Sequence, residues 1–332
     1  MRAMVLTETG PAEKTALTPK RLTDPTPGRG EVLIAIEACG VCRTDLHLLE
    51  GEVSAKLPVV PGHQVVGRVR RLGAGVSGPT LGQTVGVGWL FETCGHCRHC
   101  RSDQENLCQK ARNTGRHVNG GYAEKMVARA DYVFPLPARL PARDAAPLLC
   151  AGVIGYRSLK ISGIRPGEKL GLVGFGASAH LAIQVARHWG CEIYVFTRER
   201  DHRKMALEMG AAWAGEIGAK PRARLDAAVT FAPAGEVIPP ILDVLAPGGA
   251  IAVNAIHMSP IPSLDYDRLY WEKGLRSVTN YTRQDVREFL SLAARIPIRA
   301  KRRVFPLAQA TEVLRLIKRG KVRGAAVLEI AR

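Results

Sequence analysis

The pattern of apolar and polar positions changes character near residue 168. Before it, short apolar runs are cut by glycine and proline: EVLIAIEA, VVPGHQVVGRVRRLGAG and GQTVGVGWLF predict strands joined by turns, hence a mostly β region. After it, strand and helix signals alternate. EKLGLVGFG is an apolar strand running into glycines, ASAHLAIQVARHWG follows at helical spacing and ends at Gly190, CEIYVFT is a second strand, and RDHRKMALEMGA a second helix. The alternation continues through LDAAVTFA, EVIPPILDVLAPGG, AIAVNAI and GLRSVTNY, which predicts a parallel sheet with right-handed crossovers. A helix from Gln284 to Arg295, the run RRVFPL, another helix and GAAVLEI close the chain.

A chain of 332 residues is long for one core, so two domains are expected. With 46% hydrophobic and 23% charged residues, a packed core is expected and long disorder is not. The start, MRAMVLTETGPAEK, lacks the apolar run of a signal peptide, and no later stretch reaches the roughly 18 apolar residues of a membrane span. The expectation is a cytoplasmic protein whose eight cysteines are reduced and available to metal rather than paired as disulfides. The net charge of +17 invites a nucleic-acid or membrane reading, but lysine and arginine are scattered, with only short clusters such as RERDHRK and RAKRR. A solvated basic surface is the simpler account, so neither a membrane nor a nucleic acid is an expected partner.

Chemistry enters with CGHCRHCRSDQENLC, which spaces Cys94, Cys97, Cys100 and Cys108 as C-x2-C-x2-C-x7-C. Four thiolates complete a tetrahedral zinc shell and leave no position for a substrate, so this lobe is expected to be structural. A nucleic-acid-binding zinc ribbon would arrange its ligands as two separated knuckles, whereas these fall in one lobe. Cys39, Cys42, Cys150 and Cys191 remain, with His47 in CGVCRTDLH and His63 in PGHQ. A catalytic zinc needs three protein ligands and an open position, and spacing alone leaves the choice among these groups open.

ACGVCRTDLH, PGHQVVGRV, the four-cysteine lobe, GGYAEKMVA, LLCAGVIGYRSLK and GLVGFGASAHLAIQVARHWG together resemble the zinc-dependent medium-chain alcohol dehydrogenases, in family order along nearly the whole chain. The resemblance implies an α/β protein with a GroES-like, mostly β catalytic domain over residues 1–152. It further implies a doubly wound Rossmann domain over 153–294 and a return of 295–332 to the catalytic domain. It implies Cys42, His63 and Cys150 as catalytic zinc ligands, Cys39 as a non-ligand, and Asp45 fixing the tautomer of His63. Thr44 would take the substrate proton first and His47 pass it to solvent while hydride moves between alcohol and nicotinamide. Gln64 departs from the family's usual Glu, replacing a carboxylate that can approach zinc by a neutral amide. Trp89, Leu90 and Val53 resemble pocket-lining positions. Val53 replaces a larger Trp common in bacterial relatives, which suggests a primary alcohol or aldehyde larger than ethanol.

VGFGASA places Gly174, Gly176 and Ala179 as G-x-G-x-x-A between a strand and a helix, the context in which helix-start N–H groups hold a pyrophosphate. About 20 residues on, where a carboxylate would accept from the adenosine ribose, stands Thr197, followed by Arg198, Arg200 and Arg203, which favours NADP over NAD. Arg43 matches a pyrophosphate-contacting family position, while an arginine common near the C-terminus is replaced by Ala325, with Arg323 shifted. The expected cofactors are two zinc ions per chain and NADP. The expected assembly is a homo-oligomer, dimer or tetramer. Competing functions are a polyol or secondary-alcohol dehydrogenase, or a non-catalytic zinc protein that binds NADP or nucleic acid.

Overall fold

The computed structural model describes residues 1–137 and 140–330. Two compact units are formed: the first from Met1–Ala151, Tyr281–Arg295 and the chain from Arg299 onward, the second from Gly152–Asn280 with Ile296–Ile298. The helix Arg283–Arg295 thus belongs with the first unit, whereas the sequence boundary was drawn after it. Side chains explain why. Tyr281 is buried and bonded to the carbonyl of Leu149, and Arg283 reaches the carboxylate of Glu105 at 3.2 Å, both within the first unit.

The first unit is built on a seven-stranded sheet ordered Arg302–Pro306, Ala325–Glu329, Glu31–Val41, Gln64–Leu72, Thr84–Val87 and Val133–Pro135, with Lys125–Arg129 also on Glu31–Val41. The two C-terminal strands therefore extend this sheet. Glu31–Val41 is its central member, paired to three neighbours and buried at almost every position, which is why it reads as an apolar run rather than an alternation. Leu6, Ile34, Leu48, Val65, Tyr122 and Met126 form part of its core, each contributing about 1.5–3 kcal/mol by leaving water.

The second unit holds six parallel strands ordered Trp213–Gly215, Glu192–Phe196, Lys169–Val173, Leu225–Thr230, Leu245–Val253 and Gly274–Ser277. Numbered along the chain this is 3-2-1-4-5-6, the doubly wound Rossmann order. Val173, Phe196, Leu225, Ile241 and Ile251 are among its core residues. Among the described residues, no helix is long and apolar enough to cross a membrane.

Candidate metal centre and dinucleotide site

Three distant segments of the first unit bring Cys42, His63 and Cys150 together. Cys42 follows the strand Glu31–Val41 and caps the helix Arg43–Glu50, while His63 precedes the strand Gln64–Leu72. Antiparallel pairing of these strands sets Gly40 opposite Gln64, so the two metal-type residues just beyond the pair become neighbours. Cys150 ends the short turn Ala146–Leu149. The donor atoms of the three lie within 4.8 Å of one another. Bonds of about 2.0–2.3 Å to a tetrahedral ion place ligand atoms roughly 3.5–3.8 Å apart, so the set fits zinc with its fourth position open. Cys39 is buried and outside the cluster, and Cys191 points to the Arg165 carbonyl.

Asp45 organises this centre. Its Oδ2 accepts the backbone N–H of Cys42 at 2.8 Å and the hydroxyl of Tyr122 at 2.9 Å. Its Oδ1 lies 3.2 Å from His63 Nδ1, an ion-pair approach outside hydrogen-bond angles, and among the described residues neither atom has another hydrogen-bond partner. A buried imidazole beside a buried carboxylate is the arrangement that holds a ligating histidine with its other nitrogen toward a metal. Burial disfavours the imidazolium, yet the Asp45 carboxylate prevails and raises His63 to about 10. Hydrogen bonding from Cys150 holds the Cys42 thiol well below its ordinary value, against burial, and the same bond pushes Cys150 well above. A divalent ion would replace the protons these three groups share.

Around the cluster, the Trp89 ring meets the His63 ring edge-on, centroids 4.8 Å apart. Leu90 is buried beside it in sequence, and Val53 packs against the core of the unit. The Thr44 hydroxyl is 3.5 Å from Cys42 Sγ. His47, one helical turn on, pairs through Nδ1 with the carboxylate of Glu52, an exposed residue that sequence reading gave no role. Gln64 is buried with its amide folded over Gly40, where a Cβ would fall 2.9 Å from Oε1. Tyr122 and Tyr281 were also missed. The only sequence signal for Tyr122 is the preceding glycine pair, since a Cβ on Gly120 would lie 2.1 Å from the Gly62 carbonyl and one on Gly121 2.8 Å from Cys39 Sγ.

The lobe Cys94, Cys97, Cys100 and Cys108 forms a second cluster within the same 4.8 Å limit. Sulfur separations of 3.9 Å for Cys94–Cys100 and 3.5 Å for Cys97–Cys100 are too long for disulfides and suit thiolates around one ion. Backbone N–H groups of His96 and Cys97 draw Cys94 down to about 6, the state a metal needs. His96 and His99 lie outside the ligand set, with His96 exposed. Strands Leu90–Glu92 and Arg112–Asn113 pair across the neck of the lobe.

In the second unit, Gly174 follows the buried strand Lys169–Val173 with φ of +81°, a conformation open to glycine, and its N–H bonds the Phe196 carbonyl. A Cβ on Gly176 would meet nothing within 4 Å, leaving free approach to the backbone ahead of the helix Ala179–His188. The loop therefore fits a pyrophosphate. Thr197 is buried at the end of the next strand, and Arg198 and Arg200 are exposed. Arg203 instead turns inward, donating to the carbonyls of Thr197 and Arg198 at 2.9 and 2.8 Å and lying 3.2 Å from Glu216. It braces this loop. Arg43 in the first unit is exposed.

Comparison with known proteins gives the family of the chain. The family model "Alcohol dehydrogenase GroES-like domain" matches residues 28–138, and "Zinc-binding dehydrogenase" matches 179–295. The chain is 44% identical over 330 residues, covering 97% of itself and 94% of the relative, to a protein of Mycobacterium tuberculosis (strain CDC 1551 / Oshkosh) named "Probable alcohol dehydrogenase AdhA". Among solved structures it resembles a cinnamyl alcohol dehydrogenase from Sorghum bicolor with TM-score 0.90 and 29% identity, over 99% of this chain and 97% of that one. It also resembles a cobalt- and zinc-bound thermostable alcohol dehydrogenase from Pyrobaculum aerophilum, with TM-score 0.90, 28% identity and 99% of each chain covered.

Proposed function

Because this chain belongs to the zinc-dependent medium-chain alcohol dehydrogenase family, we propose that Cys42, His63 and Cys150 hold its catalytic zinc and that Cys94, Cys97, Cys100 and Cys108 hold a second, structural one. The chain is an oxidoreductase that uses zinc and a nicotinamide cofactor to interconvert an alcohol and its aldehyde. The observation that carries the assignment of the catalytic site is three Cys and His donor atoms within 4.8 Å, backed by a buried carboxylate and, among the described residues, lacking a fourth protein ligand. Zinc bound there supplies Lewis-acid polarisation of the substrate oxygen. The nicotinamide supplies the hydride acceptor or donor.

The chain's own residues do the rest. Asp45 keeps His63 in the tautomer with Nε2 free to ligate. Thr44, beside Cys42, takes the proton of the substrate hydroxyl, and His47 lies one turn further on the same helix face. A carboxylate only accepts, so Glu52 takes the hydrogen bond of His47 Nδ1 and orients the ring in the path. Glu52, being exposed, then connects the path to water. Trp89, Leu90 and Val53 form the substrate wall in this reading, and primary alcohols or aldehydes larger than ethanol are the substrate class.

In the second unit, Gly174, Gly176 and Ala179 seat the pyrophosphate. The reading of NADP over NAD rests on Thr197 in place of a carboxylate and on the exposed Arg198, with Arg203 shaping the loop. A homo-oligomer is part of the proposal, supported by the open edge strand Gly274–Ser277 and its exposed Leu275, and light scattering would measure it. The deciding experiment is the initial rate of cofactor oxidation with a panel of aliphatic and aromatic aldehydes, using NADPH and NADH in parallel, before and after zinc chelation. Chelator-sensitive turnover preferring NADPH supports both assignments. Arg198→Ala should then raise KM for NADPH about tenfold and leave NADH nearly unchanged. Preference for NADH removes the cofactor assignment alone, and turnover that survives complete removal of metal removes the catalytic zinc.

A further inference from the structure

Tyr281 lies outside every motif that marks the site, yet its hydroxyl is placed where two parts of the site meet. The residue is 2% exposed. Its hydroxyl donates to the carbonyl of Leu149 at 2.7 Å, the residue before Cys150, and accepts the backbone N–H of Trp89 at 2.7 Å. Both the donor and an acceptor capacity of the phenol are used. The chain leaves room for it: a Cβ on Gly88 would stand 2.3 Å from the Tyr281 oxygen and 3.1 Å from the Leu149 carbonyl.

We infer that Tyr281 is a positioning residue for the metal centre, its hydroxyl bolting the Cys150 turn to the Trp89 segment so that the Cys150 sulfur is held within reach of Cys42 and His63. Cys150 needs such a device more than its partners do. Cys42 is fixed by its helix cap through Asp45, and His63 by the same Asp45 and the Trp89 ring. Cys150 stands between the turn Ala146–Leu149 and the helix Ala151–Ser162 with a backbone of φ −138° and ψ −68°, outside helix and strand, so its own conformation breaks from both where the sulfur leaves the chain. Through Trp89, the same hydroxyl also fixes the ring that stands edge-on to His63. A single oxygen thus couples one ligand to the support of another.

The inference rests on Cys150 being a zinc ligand, and the test separates the two. Full-length, zinc-loaded protein is challenged with a chromogenic chelator and the release of each zinc followed in time. Tyr281→Phe keeps the ring and removes the oxygen; one zinc per chain should leave at least about tenfold faster while the other leaves at the parent rate, the scale expected when an outer contact to a ligand is lost. Gly88→Ala keeps Tyr281 but displaces its hydroxyl, and should accelerate the same ion. Adding Gly88→Ala to Tyr281→Phe should change that rate little further, because the oxygen it displaces is already gone. If both single variants release both ions at the parent rate and differ only in melting temperature, the hydroxyl is a structural brace and the inference is overturned. If Cys150→Ser retains two zincs released at parent rates, Cys150 is no ligand and the reading beneath falls first.

Discussion

The two cysteine clusters of this chain solve the same coordination problem in opposite ways. Cys94, Cys97, Cys100 and Cys108 come from one lobe of fifteen residues, near the surface, with backbone N–H groups close at hand to stabilise sulfur. Cys42, His63 and Cys150 come from three segments up to 108 residues apart, with His63 buried and both cysteines half-buried, and depend on an outer layer of Asp45, Tyr122 and Tyr281. A local loop can fill all four positions because its entropy of closure is small. An assembled centre leaves one position open for chemistry and must therefore be held from outside.

The sharpest way to break this contrast is to remove one ligand from each cluster. Cys42→Ser or His63→Ala should lower kcat/KM by about three orders of magnitude or more, with zinc content falling from two per chain to one and the fold retained by circular dichroism. Full activity in either variant would dissolve the distinction. Cys97→Ser should do the reverse, costing about 3 kcal/mol, or roughly 6–12 °C in melting temperature for a unit of this size, with turnover within a few-fold of the parent at low temperature. Asp45→Asn should weaken only the assembled centre, by about 10- to 100-fold in zinc affinity measured by competition with a chelator. Tyr122→Phe, which removes one of the donors to the same carboxylate, should fall below that, at about threefold. Smallest is Glu52→Gln, expected to lower kcat by about twofold with both zinc ions retained, since it alters the proton path and not the metal.

The same contrast governs what could be read from the sequence. The lobe is legible because its ligands are spaced within one loop, and the alternating strands and helices after residue 168 are legible because periodicity is local. The assembled centre is not. Spacing left Cys39, Cys42, Cys150, Cys191, His47 and His63 open, and only the family resemblance selected three of them. Its outer layer was invisible for a physical reason: Tyr122 meets Asp45 across 77 residues and Tyr281 meets Leu149 across 132, each through one hydroxyl on an otherwise apolar ring. Such a residue reads as core, and only tertiary pairing reveals its partner. Arg203 marks the same limit in the second unit. Its charge in a basic run suggests a phosphate, and only the fold shows that its Nη1 also donates to two backbone carbonyls and lies 3.2 Å from Glu216.

The neck of the lobe has a consequence for how this chain can change over generations. Leu90 pairs with Asn113 and Glu92 with Arg112, so the chain departs and returns at adjacent points on a closed ladder. Length between those points is decoupled from the register of the sheet, and residues can be gained or lost there without shifting Cys42, His63 or Cys150. Tethers limit that freedom: Thr93 meets the Tyr132 hydroxyl at 2.7 Å, and Glu105, buried within the lobe, accepts from the backbone N–H of Arg283 at 2.8 Å and its side chain at 3.2 Å, two residues beyond Tyr281. The lobe can thus vary in length between its four cysteines and the Glu105 carboxylate, which moors it to the segment that carries Tyr281.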